Sequence, residues 1–405
     1  MTVQGRSLQR LDSGGQTVGS RPLRILHVVK GLGPGGAERL LSAAAAERDR
    51  ERFDYEVAYV LPWKDHLVPQ FKAAGITVHC VGIGDGRVWP MLNSLWVARL
   101  ARLIRDRRYD IIHCQSPLVA GVVRPLVGTL GRDRPRLVST EHNSWTTYAL
   151  PTRFLNRVTF RLDDTCFAVS EEVRGSVPAK LRSKVEVVVH GIELDDVREV
   201  RDQRETVRAE FGFGPNDVVV GTVANYRAQK AYPDLLAAAK IALDGAPDMR
   251  FVAIGQGPLE AQVHAEHARL QLGDRFRLPG YRSDAVRVLA GCDIFVLASH
   301  YEGFPVALME ALALGLPVVS TAVGGIPDSL ADGREGFLVP PKQPKSLADA
   351  LVRLGNDREL RFAMGKAANQ RADDYDIARA VRHIEAVYLS LSGDAVATVS
   401  ETDGA

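Results

Sequence analysis

The densest run of chemistry-bearing side chains lies between Ser299 and Ser320. There Glu302 and Glu310 stand eight positions apart in the frame Glu302-Gly303-Phe304-Pro305-Val306-Ala307-Leu308-Met309-Glu310. The apolar run Ile294–Ala298 before it reads as a strand, and Pro305 suits an early helix position because it lacks the N–H that would go unbonded there. Glu302 then falls in the loop at the strand's carboxyl end, and Glu310 falls on the second turn of the helix. In open α/β sheets that edge is where ligands bind. Taken alone, a glutamate on an amphipathic helix is more often a solvated face residue.

A second candidate is the loop Gly31-Leu32-Gly33-Pro34-Gly35-Gly36, which follows the first apolar run and opens a helical one. Gly31, Gly33 and Gly36 satisfy G-x-G-x-x-G. Glycines at such a place let backbone approach a diphosphate, and the amides of the helix start attract its charge. A dinucleotide site also needs an acid about 20 positions later, at the end of the second strand. That strand ends Tyr59-Val60-Leu61-Pro62 with no carboxylate, so a nicotinamide-dependent hydride transfer loses its main support. A tight strand-to-helix turn without ligand stays open for this loop.

The elements that must position these residues alternate short apolar strands with helical patterns, as in βαβ units over a parallel sheet. Strands are expected at Ile25–Val29, Tyr55–Leu61, Thr77–Val81, Ile111–Gln115, Leu137–Thr140, Thr165–Val169 and Val185–Val189. A charged stretch from Glu193 to Pro215 follows. The alternation then restarts with Val218–Val223, Arg250–Ile254, Arg275–Leu278, Ile294–Ala298, Val318–Ser320 and Gly336–Val339. The restart predicts two similar α/β domains, 22–194 and 195–375, with disordered ends at 1–21 and 392–405.

A chain of 405 residues is too long for one ordinary core, and 46% hydrophobic with 25% charged residues is the composition of a folded protein. A net charge of +2 argues against a dedicated nucleic-acid binder. The four cysteines, Cys80, Cys114, Cys166 and Cys292, lie in or beside apolar runs without a CxxC pair and are expected to be buried thiols, not a zinc or disulfide framework. His264 and His267 lack the company a metal site needs and are expected at the surface. Asp163-Asp164 and Asp373-Asp374 read as helix-end or linker charges. The longest apolar candidate for a membrane span, Leu118–Leu130, is interrupted by Arg124 and Pro125, and the N-terminus lacks the apolar core of a secretory signal. A cytoplasmic protein is expected. Met91–Arg108 sets Leu92, Leu95, Trp96, Leu100 and Leu103 against five arginines. It would suit either peripheral contact with anionic lipid at the inner face of the membrane or an ordinary helix covering the sheet.

The frame E-G-F-P-x-x-L-x-E-A-L-A-x-G-x-P-V-V resembles the signature of retaining family-4 glycosyltransferases. Further stretches agree in order: Gly35-Gly36-Ala37-Glu38-Arg39, Val189-His190-Gly191-Ile192-Glu193, Lys230 in Gln-Lys-Ala-Tyr-Pro-Asp, Gly255-Gln-Gly257-Pro, Gly324-Gly325-Ile-Pro-Asp328 and Gly333-Arg-Glu-Gly336. The likeness runs from about residue 23 to 390. It implies the GT-B fold, two Rossmann-like domains facing each other across a cleft, with a last helix (376–391) crossing back onto the first domain. It also implies a UDP- or GDP-linked sugar donor held mainly by the second domain, no cofactor, and an acceptor, as yet unidentified, held mainly by the first. Glu310 would then bond the ribose hydroxyls, Glu302 would face the donor sugar, Lys230 would neutralise the diphosphate, and His142 would reach across the cleft to the sugar. Gly33, Gly35, Gly36, Gly303, Phe304 and Val306 would line the donor. Asn225 stands where the family carries an arginine, and Arg227 is positioned to supply that charge. The mechanism implied is metal-independent, with retention of configuration and the leaving phosphate helping to take the acceptor proton. Competing readings are a catalytically silent nucleotide-sugar-binding subunit, which the departure at Asn225 leaves open, and a GT-B epimerase.

Overall fold

The protein's computed structural model describes residues 21–84, 95–131 and 134–393. The first sheet contains β1 (Leu23–Val29), β2 (Phe53–Tyr59), β3 (Thr77–Cys80), β4 (Ile111–Cys114), β5 (Arg136–Glu141), β6 (Thr165–Ala168) and β7 (Val185–Val187), in the order β3-β2-β1-β4-β5-β6-β7. The second contains β8 (Val218–Val223), β9 (Met249–Ile254), β10 (Phe276–Gly280), β11 (Ile294–Leu297), β12 (Val318–Thr321) and β13 (Gly336–Val339), in the order β10-β9-β8-β11-β12-β13. Every pairing between these strands is parallel. The central strands are buried on both faces, as their continuous Val, Ile, Leu and Phe content requires beneath covering helices.

In each sheet the strand order turns back beside the first strand, between β1 and β4 and again between β8 and β11. Loops leaving neighbouring strands at such a point diverge and open a crevice. The chain passes from the first sheet towards the second at Gly191-Ile192 and returns at Asp376-Ile377. There Ile192 N donates to Tyr375 O at 2.9 Å and Ile377 N donates to Ile192 O at 3.1 Å. The helix Ile377–Ser392 then packs on the helix Gly36–Glu47 of the first domain, and the Tyr388 hydroxyl meets His113 Nδ1 at 2.6 Å.

Several sequence expectations change in the fold. Leu118–Leu130 becomes the helix Pro117–Gly128, and the arginine that interrupts it is wholly buried. Arg124 Nε and Nη2 donate to the two carboxylate oxygens of Asp163 at 2.8 and 2.6 Å. Asp163 is therefore no linker charge; it neutralises an arginine under the sheet, because an unpaired charge there would carry a heavy desolvation cost. Cys114, Cys166 and Cys292 are buried, but Cys80 is exposed because it ends β3, an edge strand with one neighbour. The helix Leu95–Arg107 packs Trp96, Leu100 and Ile104 into the core as a sheet-covering helix does, so two of the apolar residues offered for lipid contact, Trp96 and Leu100, are buried, while Leu95 is exposed. Residues 91–94 of that segment lie outside the described residues, as do 1–20 and 394–405 of the ends expected to be disordered. Among the described residues no helix is long and apolar enough to cross a membrane.

Candidate active site

Adjacency of β8 and β11 brings Lys230 to Glu302. After β8 the chain makes the 3-10 turn Ala228–Lys230, and Ala231 (φ 48°, ψ 46°) reverses it into the helix Tyr232–Gly245. A left-handed alanine costs roughly 1–2 kcal/mol, so its neighbours must hold it. They do: His300 N donates to Gln229 O at 2.8 Å, Gln229 Nε2 donates to Tyr301 O at 2.9 Å, and His300 Nε2 lies 2.8 Å from Asp234 Oδ2. The loop after β11 is thereby zipped to the loop after β8. Lys230 Nζ donates to Glu302 Oε1 at 2.5 Å, and Ser299 Oγ donates to the same oxygen at 2.5 Å.

Glu302 is held from its other side by the loop after β12. Gly325 N donates to Gly303 O at 2.8 Å, and Gly324 (φ 61°) approaches so closely that a β-carbon there would overlap the Glu302 carbonyl. The helix Val306–Ala313 follows, with Pro305 as its N-cap and not inside the first turn, and it has no side-chain cap. Its first residues, Val306 and Ala307, line the cleft with Gly303 and Phe304, and a helix N-terminus at such a place favours anions.

Glu310 is buried, and its carboxylate has no hydrogen bond or ion pair with any described residue. It borders two neighbouring cavities, of about 290 and 470 Å³, whose linings share Arg39, Leu40 and Val306 with it. Burial raises its pKa above the ordinary carboxylate range, while the Arg39 charge works against that rise. Together the cavities fall within the volume typical of small-molecule sites, about 300–1,000 Å³.

His142 enters from the first domain, directly after β5. Gly303 must be glycine here, because a β-carbon would overlap the His142 carbonyl oxygen. His142 Nε2 lies 3.1 Å from Gln115 Oε1, and the ring stacks on His190 with centroids 5.4 Å apart. Burial, then the neighbouring His190, pushes its pKa down to about 3, so the ring is neutral at physiological pH. On the glycine loop, Gly36 meets Val306 of the opposite domain: a β-carbon there would sit 3.2 Å from Val306 Cγ2.

The cavity lining thus includes Gly36, His142, Lys230, Glu302, Gly303, Phe304, Val306 and Glu310. Gly33, Gly35 and Arg227 are not among its lining residues. Gly33 faces Lys64, Gly35 packs against Glu38, and Arg227 is exposed, acting electrostatically on Lys30 and Glu38 of the first-domain loop. Asn225, not Arg227, borders the cavity. Sequence reading passed over Gln115, Arg39 and Ser299, whose roles depend on which strands are neighbours. The one available signal was Arg39 within the Gly-Gly-Ala-Glu-Arg stretch.

Two parallel α/β sheets facing one another across a cleft at their switch points define the GT-B architecture of glycosyltransferases. This chain belongs to glycosyltransferase family 4: residues 34–196 match the model of Glycosyltransferase Family 4, and residues 203–371 match that of Glycosyl transferases group 1. It is similar to the D-inositol 3-phosphate glycosyltransferase of Kribbella flavida, with 34% identity over 364 residues, 80% of this chain and 82% of the relative. The N-acetyl-alpha-D-glucosaminyl L-malate synthase of Bacillus anthracis is 24% identical over 373 residues, 90% of this chain and 95% of its own length. Among solved structures, Anabaena HepE in complex with UDP-glucose superposes with a TM-score of 0.77 at 21% identity, covering 91% of this chain and 99% of HepE. At that identity the likeness speaks for the fold.

Proposed function

We propose that this glycosyltransferase moves a sugar from a nucleotide-diphosphate-sugar to an acceptor with retention of configuration and without a metal ion. The observation that carries the reading is Glu310: a buried carboxylate, free of partners among the described residues, set between two cavities one helical stretch from the Lys230–Glu302 pair. The UDP-glucose complex of HepE favours a uridine donor over a guanosine one.

Breaking the anomeric C–O bond leaves positive charge on the sugar and negative charge on the departing diphosphate. Lys230 meets that negative charge by turning from Glu302 to the leaving phosphate, supported by the amides at Val306 and Ala307. Glu302 and the neutral His142 face the donor sugar, and Glu310 accepts from the ribose hydroxyls. The acceptor hydroxyl attacks from the face the diphosphate leaves, and its proton passes to a phosphate oxygen, so no side chain acts as a general base. Closing of the two domains would exclude the water that otherwise hydrolyses the donor. The acceptor class proposed is a polysaccharide intermediate, glycolipid or glycoside, met in the cytoplasm at the inner face of the membrane.

Ligand-observed NMR of the wild type and Glu310→Ala against a panel of UDP- and GDP-sugars and NAD tests the donor site. Saturation transfer to one nucleotide-sugar, lost in the variant, is expected. Saturation of NAD alone, or of no ligand, overturns the reading.

A further inference from the structure

The helix Leu150–Thr159 and the turn after it carry a stripe that the cleft does not use. Leu150, Phe154 and Val158 recur every fourth residue, so they share one face, and they are 75%, 69% and 55% exposed. Leu162, in the 3-10 turn Phe160–Leu162, extends the line and is also exposed. Arg153, Arg157 and Arg161 run beside it, each one position before an apolar member. Their side chains form no ion pair or hydrogen bond with any described residue. No aspartate or glutamate occurs between His142 and Leu162.

Packing accounts for the other face alone. Asn156 is buried and its Nδ2 donates to Glu141 Oε1 at 2.8 Å, while Leu155 fills the space over Gly121. Single exposed apolar side chains are ordinary, but a row of them in register with unpaired arginines marks a contact surface. We infer that this stripe docks the protein on an anionic membrane surface, with the apolar side chains entering the headgroup boundary and the arginines pairing with lipid phosphates. A second copy of the chain is a poorer occupant. Symmetric pairing would set stripe against stripe and bring the arginine rows together with no acid to offset them. An anionic lipid surface supplies the missing charge. Because Asn156 ties the helix to Glu141, next to His142, docking here would hold the first-domain side of the cleft at the lipid surface. This inference goes beyond the transfer reaction and does not depend on it.

The test is co-sedimentation of the full chain with phosphatidylcholine vesicles containing about a third phosphatidylglycerol, compared with pure phosphatidylcholine, at low and at physiological salt. Sedimentation is expected with the anionic vesicles only and should weaken with salt. Each of Arg153→Gln, Arg157→Gln and Arg161→Gln should weaken it about fivefold. Phe154→Glu/Val158→Glu should abolish it, while Arg102→Gln on the core-packed helix changes nothing. The melting temperature of the double variant should match the wild type, since both side chains are exposed. Failure of the wild type to sediment, or sedimentation indifferent to the double variant, overturns the proposal. So does a dimer in light scattering that the double variant dissociates, which would make the stripe a protein interface.

Discussion

Lys230 Nζ lies 2.5 Å from Glu302 Oε1, and the two side chains arrive on loops leaving neighbouring strands, β8 and β11, at the point where the strand order turns back. The pair is enclosed: the Glu302 side chain is 5% exposed and that of Lys230 17%. In this state each charge neutralises the other, so Glu302 presents no unbalanced negative charge to a diphosphate.

Removing one partner should therefore have two separable effects. Lys230→Ala leaves Glu302 with Ser299 and Gln229 as its remaining donors, a loss expected to cost about 1–3 kcal/mol of stability. It should also lower the transfer rate by about a hundred- to a thousandfold, the usual effect of removing one group that stabilises developing negative charge. Adding Glu302→Gln should restore most of the stability in urea unfolding and none of the rate. Recovery of rate in the double variant would show that the lysine does not act on the leaving group.

Glycine contacts between the domains give a graded pair of variants. Gly303→Ala places a β-carbon inside the radius of the His142 carbonyl oxygen, backbone against backbone, so the loops must separate. Gly36→Ala meets only a methyl of Val306 at 3.2 Å, which a small rotation relieves. The first substitution should abolish measurable transfer and weaken donor binding. The second should change either by no more than about tenfold, a loss near 1.4 kcal/mol. Equal effects in steady-state kinetics would mean that the close approach at Gly303 is not required for activity.

Four histidines meet beneath the cleft, and their titration predicts acid sensitivity. His27 and His113 face each other on paired strands, joined through Gln115 to His142 and His190; Thr140, Tyr55 and Tyr388 complete the polar group. Burial lowers His27 to about 3, His142 to about 3 and His190 to about 4, and holds His113 well below its ordinary value. Depressed histidines bind protons in the unfolded chain before they do in the native one. Their contribution is thus intact above the ordinary histidine value near 6.5 and is lost as pH falls towards about 4 and then about 3. Each such residue steepens the fall by up to about 1.4 kcal/mol per pH unit. Urea midpoints should decline from pH 7 to 5, and His27→Gln should flatten that decline. A flat profile in the wild type would contradict the burial described here.

Cysteine reactivity checks the edge of the first sheet. Cys80 is exposed while burial raises the pKa of Cys114, Cys166 and Cys292. A thiol reagent should modify one cysteine promptly in the native protein and all four after denaturation. Loss of the prompt reaction in Cys80→Ser identifies the residue.

The amino-acid sequence by itself determined the parallel α/β class, the restart of the pattern in the second half and the loop-and-helix placement of Glu302 and Glu310. These depend on local periodicity, on proline and glycine, and on motif spacing, all of which are visible along one chain. Strand order was not visible, and strand order decides the site. Lys230 meets Glu302 because β8 and β11 are neighbours, and His142 meets Gln115 because β4 and β5 are. Only the folded molecule could place Arg227 outside the cavity lining, pair the buried Arg124 with Asp163, and bury Trp96, Leu100 and Ile104 of the helix Leu95–Arg107. The same holds for Leu150, Phe154, Val158 and Leu162, which follow the spacing of a core-facing helix and yet lie exposed. Periodicity reports that a helix has an apolar face; whether that face meets a sheet or the solvent depends on contacts between residues distant in sequence.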